Sequence, residues 1–189
     1  VFDLLIKGVL KHYKSSLTNG IELGVIWDEV VTEHNKGYGT GEEFYFARQK
    51  KKSVEEKAIK FNTIINALFL KPDADETKPD YLAPSVNKIL KKFIPELHIE
   101  FNRHTIIVNE WGRISEPKIL LEIEYNGTNL DNNNPQFILN EARLSAIAIS
   151  IFLGTILKQS PFSKEIKPLF LDDILIGLDN ANRIKLIKV

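Results

Sequence analysis

Residues 137–153, FILNEARLSAIAISIFL, and residues 168–183, PLFLDDILIGLDNANR, decide the reading of this chain. In the first, Leu139-Asn140 marks a helix start, because an Asn side chain there accepts a hydrogen bond from an orphaned first-turn N–H. Leu144, Ile147, Ala148, Ile151, Phe152 and Thr155 then recur at helical spacing, which predicts a helix from Asn140 to about Lys158. It is apolar on most sides, implying burial in a large core, and Pro161 ends the region. In the second, Pro168-Leu-Phe-Leu171 is a short apolar run that meets two acids, Asp172 and Asp173. A buried parallel strand delivers carboxylates to its C-terminal end in this way, and ligand chemistry usually sits there.

Upstream, Pro84 to Phe93 reads as a short amphipathic helix, with Val86, Ile89, Leu90 and Phe93 on one side. Three strand-like runs follow: Leu97 to Phe101, His104 to Val108, and Ile119 to Tyr125. Asn126-Gly127 is a strong hairpin signal, so the block predicts a small antiparallel meander. Asn126-Gly-Thr128 also matches the N-glycosylation pattern, but without a secretory signal it reads as turn chemistry. Asp131-Asn-Asn-Asn-Pro135 then breaks the chain, since Pro cannot sit in a central strand.

The N-terminal part reads as helical. Phe2, Leu5, Ile6, Val9, Leu10 and Tyr13 keep helical spacing, and Asn19-Gly20 supplies a left-handed stop. Ile21 to Trp27 fits a strand or a helix start, and Gly37-Tyr-Gly-Thr-Gly41 is a loop; no Gly-Lys-Ser/Thr follows it, so it reads as a flexible turn. A long helix then begins at Gly41 or Ser53 and ends near Leu70. Ser53-Val-Glu-Glu56 has the capping-box pattern, and Val54, Ala58, Phe61, Ile65 and Leu68 form a stripe that needs a partner helix, from a core or a coiled-coil root. Lys71 to Pro79 is a polar linker, which places a boundary between segments 1–78 and 79–189.

The 189 residues, 43% hydrophobic and 26% charged, suffice for a real core. The absence of Cys excludes disulfides and thiolate metal sites and fits a cytoplasmic setting. Lys+Arg and Asp+Glu are both 25, so no global field steers the chain to nucleic acid or an anionic membrane, and Lys50-Lys51-Lys52 reads as a solvated face. Ala146 to Leu157 falls short of the ~20 residues of a membrane span. A first residue Val1 and the absence of Met imply either a removed start or a piece of a longer polypeptide, and the second is the expectation carried forward.

Taken together, the two quoted segments resemble the C-terminal lobe of an ABC-type ATPase of the RecF and SMC kind, over roughly Tyr81 to Val189. In that family a signature, typically Leu-Ser-Gly-Gly-Glu/Gln, opens a long helix. A Walker B strand ending in Asp-Glu then leads to a D-loop Leu-Asp followed by x-x-Asn. Leu139-Asn140-Glu141-Ala142-Arg143 stands in the place of the signature, Asp172-Asp173 in that of Walker B, and Leu178-Asp179 with Asn182 in that of the D-loop. The resemblance implies a mixed α/β fold: a partial P-loop NTPase lobe of ABC type at 79–189, preceded by a helical insertion or arm root at 1–78. It also implies the roles. Asn140, Glu141, Ala142, Arg143 and Asp179 contact ATP, Asp172 holds Mg²⁺, and Asp173 polarises the attacking water. ATP is sandwiched head-to-tail in a homodimer or against a partner ATPase lobe, with DNA as the ultimate partner. The Asn-Glu-Ala-Arg core is similar to RecF-like ATPases of bacterial anti-phage defence and DNA maintenance.

General physics agrees with these roles: a strand-end carboxylate can hold a magnesium water shell, and a helix N-terminus can face a γ-phosphate. There are departures. Glu141 and Ala142 replace two glycines that permit close backbone approach, and Glu141 brings negative charge toward phosphates unless Arg143 pairs with it or it turns away. Asp173 is one methylene shorter than the usual Glu. No P-loop occurs in the sequence, and His12, His34, His98 and His104 all precede Walker B, so no switch His follows it. The isolated chain is therefore expected neither to bind ATP tightly nor to hydrolyse it. Two other readings stand beside this one: a non-catalytic interaction module with an ATPase-derived fold, and a metal-dependent nuclease using Asp172 and Asp173. The nuclease is the weaker, since no further acidic cluster has the required spacing.

Overall fold

The computed structural model describes residues 2–36, 43–73, 79–130, 139–158 and 184. The Gly37–Gly41 loop, part of the 71–79 linker, the Asp131–Pro135 break, Pro161, and the 168–183 segment expected to hold Walker B and D-loop residues lie outside the described residues. The protein is mixed α/β, with helices and a small three-stranded antiparallel sheet. Its chain forms two compact units, one from Val1–Tyr81 and Asn102–Leu120, the other from Leu82–Phe101 and Leu121–Val189.

In the first unit a π-helical stretch Asp3–Val9 and a 3₁₀ turn Ser16–Thr18 precede helices α1 (Leu23–Asn35) and α2 (Glu43–Phe69). Leu5, Ile6, Leu10 and Tyr13 are buried, and Asn19 and Gly20 take positive φ of 54° and 74°, the left-handed stop their sequence predicts. Residues 21–27, ambiguous in sequence, enter α1 from Leu23. Gly24 is required there, because a Cβ would lie 2.6 Å from Lys11 Cγ and 3.0 Å from the Lys11 carbonyl oxygen. All five residues of the α2 stripe, Val54, Ala58, Phe61, Ile65 and Leu68, are buried, the larger ones worth roughly 1.5–3 kcal/mol each.

The capping-box reading of Ser53 is corrected: α2 starts at Glu43 and runs through it. The Ser53 hydroxyl donates instead to Glu33 Oε1 on α1 at 2.5 Å, and Lys57 pairs with Glu29 at 2.7 Å. Hydrogen bonds from Lys36 and Ser53 hold the Glu33 carboxyl below its ordinary value. Phe2, Trp27 and Phe61 close the same layer with ring centroids 5.1–6.2 Å apart. Burial, with Asp80 alongside, pushes the Tyr13 hydroxyl well above the usual tyrosine range.

The second unit holds α3 (Ala83–Phe93), most of the sheet and helix α4 (Glu141–Lys158). The strands are β1 (Leu97–His104), β2 (Lys118–Tyr125) and β3 (Thr128–Leu130), in the order β1-β2-β3. Tyr125 pairs with Thr128, and Asn126 and Gly127 both take positive φ, the two-residue turn their sequence predicts. The third strand of the meander differs from expectation. His104–Val108 is not a strand of the sheet, which ends its first strand at His104 and gains Thr128–Leu130 instead. Within the first unit, the Asn62 side chain takes both backbone groups of Ile106, its Nδ2 donating to the carbonyl and its Oδ1 accepting the N–H, each at 2.9 Å. A side chain thus does for Ile106 what a neighbouring strand would otherwise do.

Asn87 repeats this device in the second unit. Buried on α3, it donates to the Ile99 carbonyl at 2.8 Å and accepts the Ile99 N–H at 2.9 Å, which docks α3 on β1. α3 also lies against α4, and Gly154 faces Val86 there. The buried side of α4 is formed by Ala146, Ile147, Ile149, Ser150, Ile151, Gly154 and Thr155. The predicted stripe is therefore displaced: Ala148 is exposed, and Leu144 and Phe152 are half-buried. The small residues Ala146, Ser150 and Gly154, four apart, share the buried side with Ile147, Ile149 and Ile151, and Leu157 is 69% exposed, so the helix is not enclosed all round.

Candidate functional site

The first turn of α4 carries Asn140, Glu141, Ala142 and Arg143, the residues expected from the sequence to contact ATP. Leu139, 2% exposed, anchors the approach, and Asn140 caps the helix as its sequence predicts. The Arg143 N–H donates to Asn140 Oδ1 at 3.0 Å, and the Asn140 carbonyl accepts from the Arg143 and Leu144 amides at 3.1 Å. With Oδ1 committed to the cap, Nδ2 is the donating end of this side chain. Asn140 and Glu141 are exposed, whereas Ala142 and Arg143 are half-buried. The structure thus brings Asn140, Glu141, Ala142 and Arg143 to one helix end, where partial positive charge gathers.

Arg143 does not pair with Glu141. Residues two apart on a helix face different directions. The guanidinium instead turns to β2, where Nη2 donates to the Tyr125 hydroxyl at 3.0 Å and Cζ lies 4.7 Å from the centre of the Tyr125 ring. Tyr125 was not legible as a site residue, because nothing in a strand-end tyrosine announces a partner eighteen positions on. Its support is local: the adjoining Asn126 N–H donates to the Glu96 carbonyl at 3.0 Å. Among the described residues Glu141 makes no ion pair. Its carboxylate is exposed at the helix end, where negative charge is favoured.

Asp172, Asp173, Asp179 and Asn182 lie outside the described residues. Among those described, no group of three or more His, Cys, Asp or Glu is placed to hold a metal ion, and no helix is long and apolar enough to cross a membrane. The chain matches no protein-family model, no curated protein and no solved structure, so function is read from its residues and geometry.

Proposed function

We propose that this chain is the signature and Walker B half of an ATP-binding and hydrolysing ATPase of the SMC/RecF type, which dimerises around ATP and acts on DNA in repair, maintenance or phage defence. The observation that carries this reading is the first turn of α4. Asn140 caps it, its signature residues are gathered at an exposed or half-buried helix end, and a small antiparallel sheet supports that end through Tyr125. A capped N-terminus of this kind offers the amides of Glu141 and Ala142, with the Asn140 Nδ2 group, to an anion. Asp173 would orient the attacking water and Asp172 would hold Mg²⁺, whose chemistry is charge neutralisation at the phosphates. Asp179 would lie at the interface of the two lobes.

A second reading, a non-catalytic interaction module with an ATPase-derived fold, is favoured by Glu141. Its exposed carboxylate stands at the helix end with no cation paired to it among the described residues, and this repels phosphate. ATP turnover by the full-length gene product separates the two. On the ATPase reading, Asp173→Asn abolishes turnover and retains ATP binding. Turnover unchanged by the substitution removes Asp173 from the chemistry, and a wild-type protein that binds no nucleotide supports the interaction module.

A further inference from the structure

We propose that Tyr125 is a positioning residue that holds Arg143 for a phosphate oxygen at the first turn of α4, an inference that rests on the ATPase reading above. The phenol grips the guanidinium twice, through the 3.0 Å hydrogen bond from Nη2 to its hydroxyl and through its ring face, 4.7 Å from Cζ. A guanidinium has five N–H donors in a fixed plane, and the hydroxyl takes one of them. The rest of the fork is held in one orientation, and it is this fixed plane that suits arginine to phosphate oxygens. A long side chain otherwise loses that rotamer freedom only when the ligand arrives, which weakens binding.

Tyr125 is in turn fixed by its pairing with Thr128, by the positive-φ turn at Asn126 and Gly127, and by the Asn126 hydrogen bond to Glu96. Arg143 is bound at its other end, since its backbone N–H is the one that Asn140 caps. The hairpin and the helix cap therefore set one cation between them. Arg143 also stays turned from Glu141, so the carboxylate does not consume the charge that a phosphate needs.

The test uses the full-length gene product. Tyr125→Phe keeps the ring and removes the hydroxyl, and Tyr125→Leu removes both. Turnover is measured against MgATP concentration, with amide hydrogen exchange of the body of α4 followed in parallel. The expected result for Tyr125→Leu is a half-saturating ATP concentration raised roughly tenfold, equivalent to about 1.4 kcal/mol, with kcat little changed. Tyr125→Phe gives a smaller rise in the same direction, and exchange in α4 remains that of the wild type. Arg143→Lys raises the half-saturating concentration alone but adds little in the Tyr125→Leu background. A Tyr125→Leu protein with the wild-type ATP dependence overturns the positioning role and leaves the ATPase reading standing. A wild-type protein without any response to ATP overturns both.

Discussion

Substituting Gly154→Ala tests the packing that sets α4 in place. In an open helix interior this change is stabilising by roughly 0.5–1 kcal/mol, because Ala restricts the unfolded chain and suits the helix. At Gly154 the new Cβ would stand 2.7 Å from Val86 Cγ2 and 3.1 Å from both Val86 Cα and N. The methyl group can rotate away, but the α3 backbone cannot without carrying Asn87 and its two bonds to Ile99 with it. Overpacking of this kind costs about 1–3 kcal/mol. After the propensity gain, a net loss of about 0–2.5 kcal/mol remains, and Gly154→Val costs more. Urea unfolding is the assay, with a lowered midpoint expected at unchanged slope. Ala148→Gly, at an exposed position of the same helix, provides the scale, with an expected loss of about 1 kcal/mol from propensity alone. A Gly154→Ala protein more stable than wild type would refute the close approach of α3 and α4.

Asn87→Leu should destabilise by roughly 2–4 kcal/mol, since it leaves the N–H and carbonyl of Ile99 buried without partners; a loss under 1 kcal/mol in chemical unfolding would contradict the clamp. Tyr13 is buried and its hydroxyl ionises only far above the ordinary value, so the folded state favours the protonated form. Its contribution is complete below about pH 10 and is lost as pH rises beyond that, with a limiting slope of about 1.4 kcal/mol per pH unit. Tyr13→Phe should flatten this alkaline limb in pH-dependent unfolding, and an unaltered limb would place the titration elsewhere. The 189-residue chain by itself, which has no Gly-x-x-x-x-Gly-Lys-Ser/Thr, should not turn over ATP, and measurable hydrolysis by it would refute the half-site reading.

Periodicity located what local spacing controls. The α2 stripe, the inner face of α3, the Asn140 cap and the Asn126-Gly127 turn all followed from residue type and interval, because each depends on neighbours within a few positions. What stayed hidden depends on distant partners. Ser53 looked like a cap until Glu33 was placed opposite it, and His104–Val108 looked like a strand until Asn62 was found to hold Ile106. The buried side of α4 differed from the predicted stripe where α3 packs against it, with Val86 close to Gly154. At the candidate site the Asn140 cap was legible, but the Tyr125 partner of Arg143 was not, since a cation–ring pair leaves no periodic trace.

The central claim is that two copies of this lobe, or this lobe and a partner lobe, close on ATP. Light scattering of the full-length Asp173→Asn protein, with and without MgATP, tests it most directly. Dimerisation only in the presence of MgATP, reversed when the nucleotide is removed, is the predicted result. A molecular mass unaffected by MgATP at concentrations that saturate binding would contradict the account.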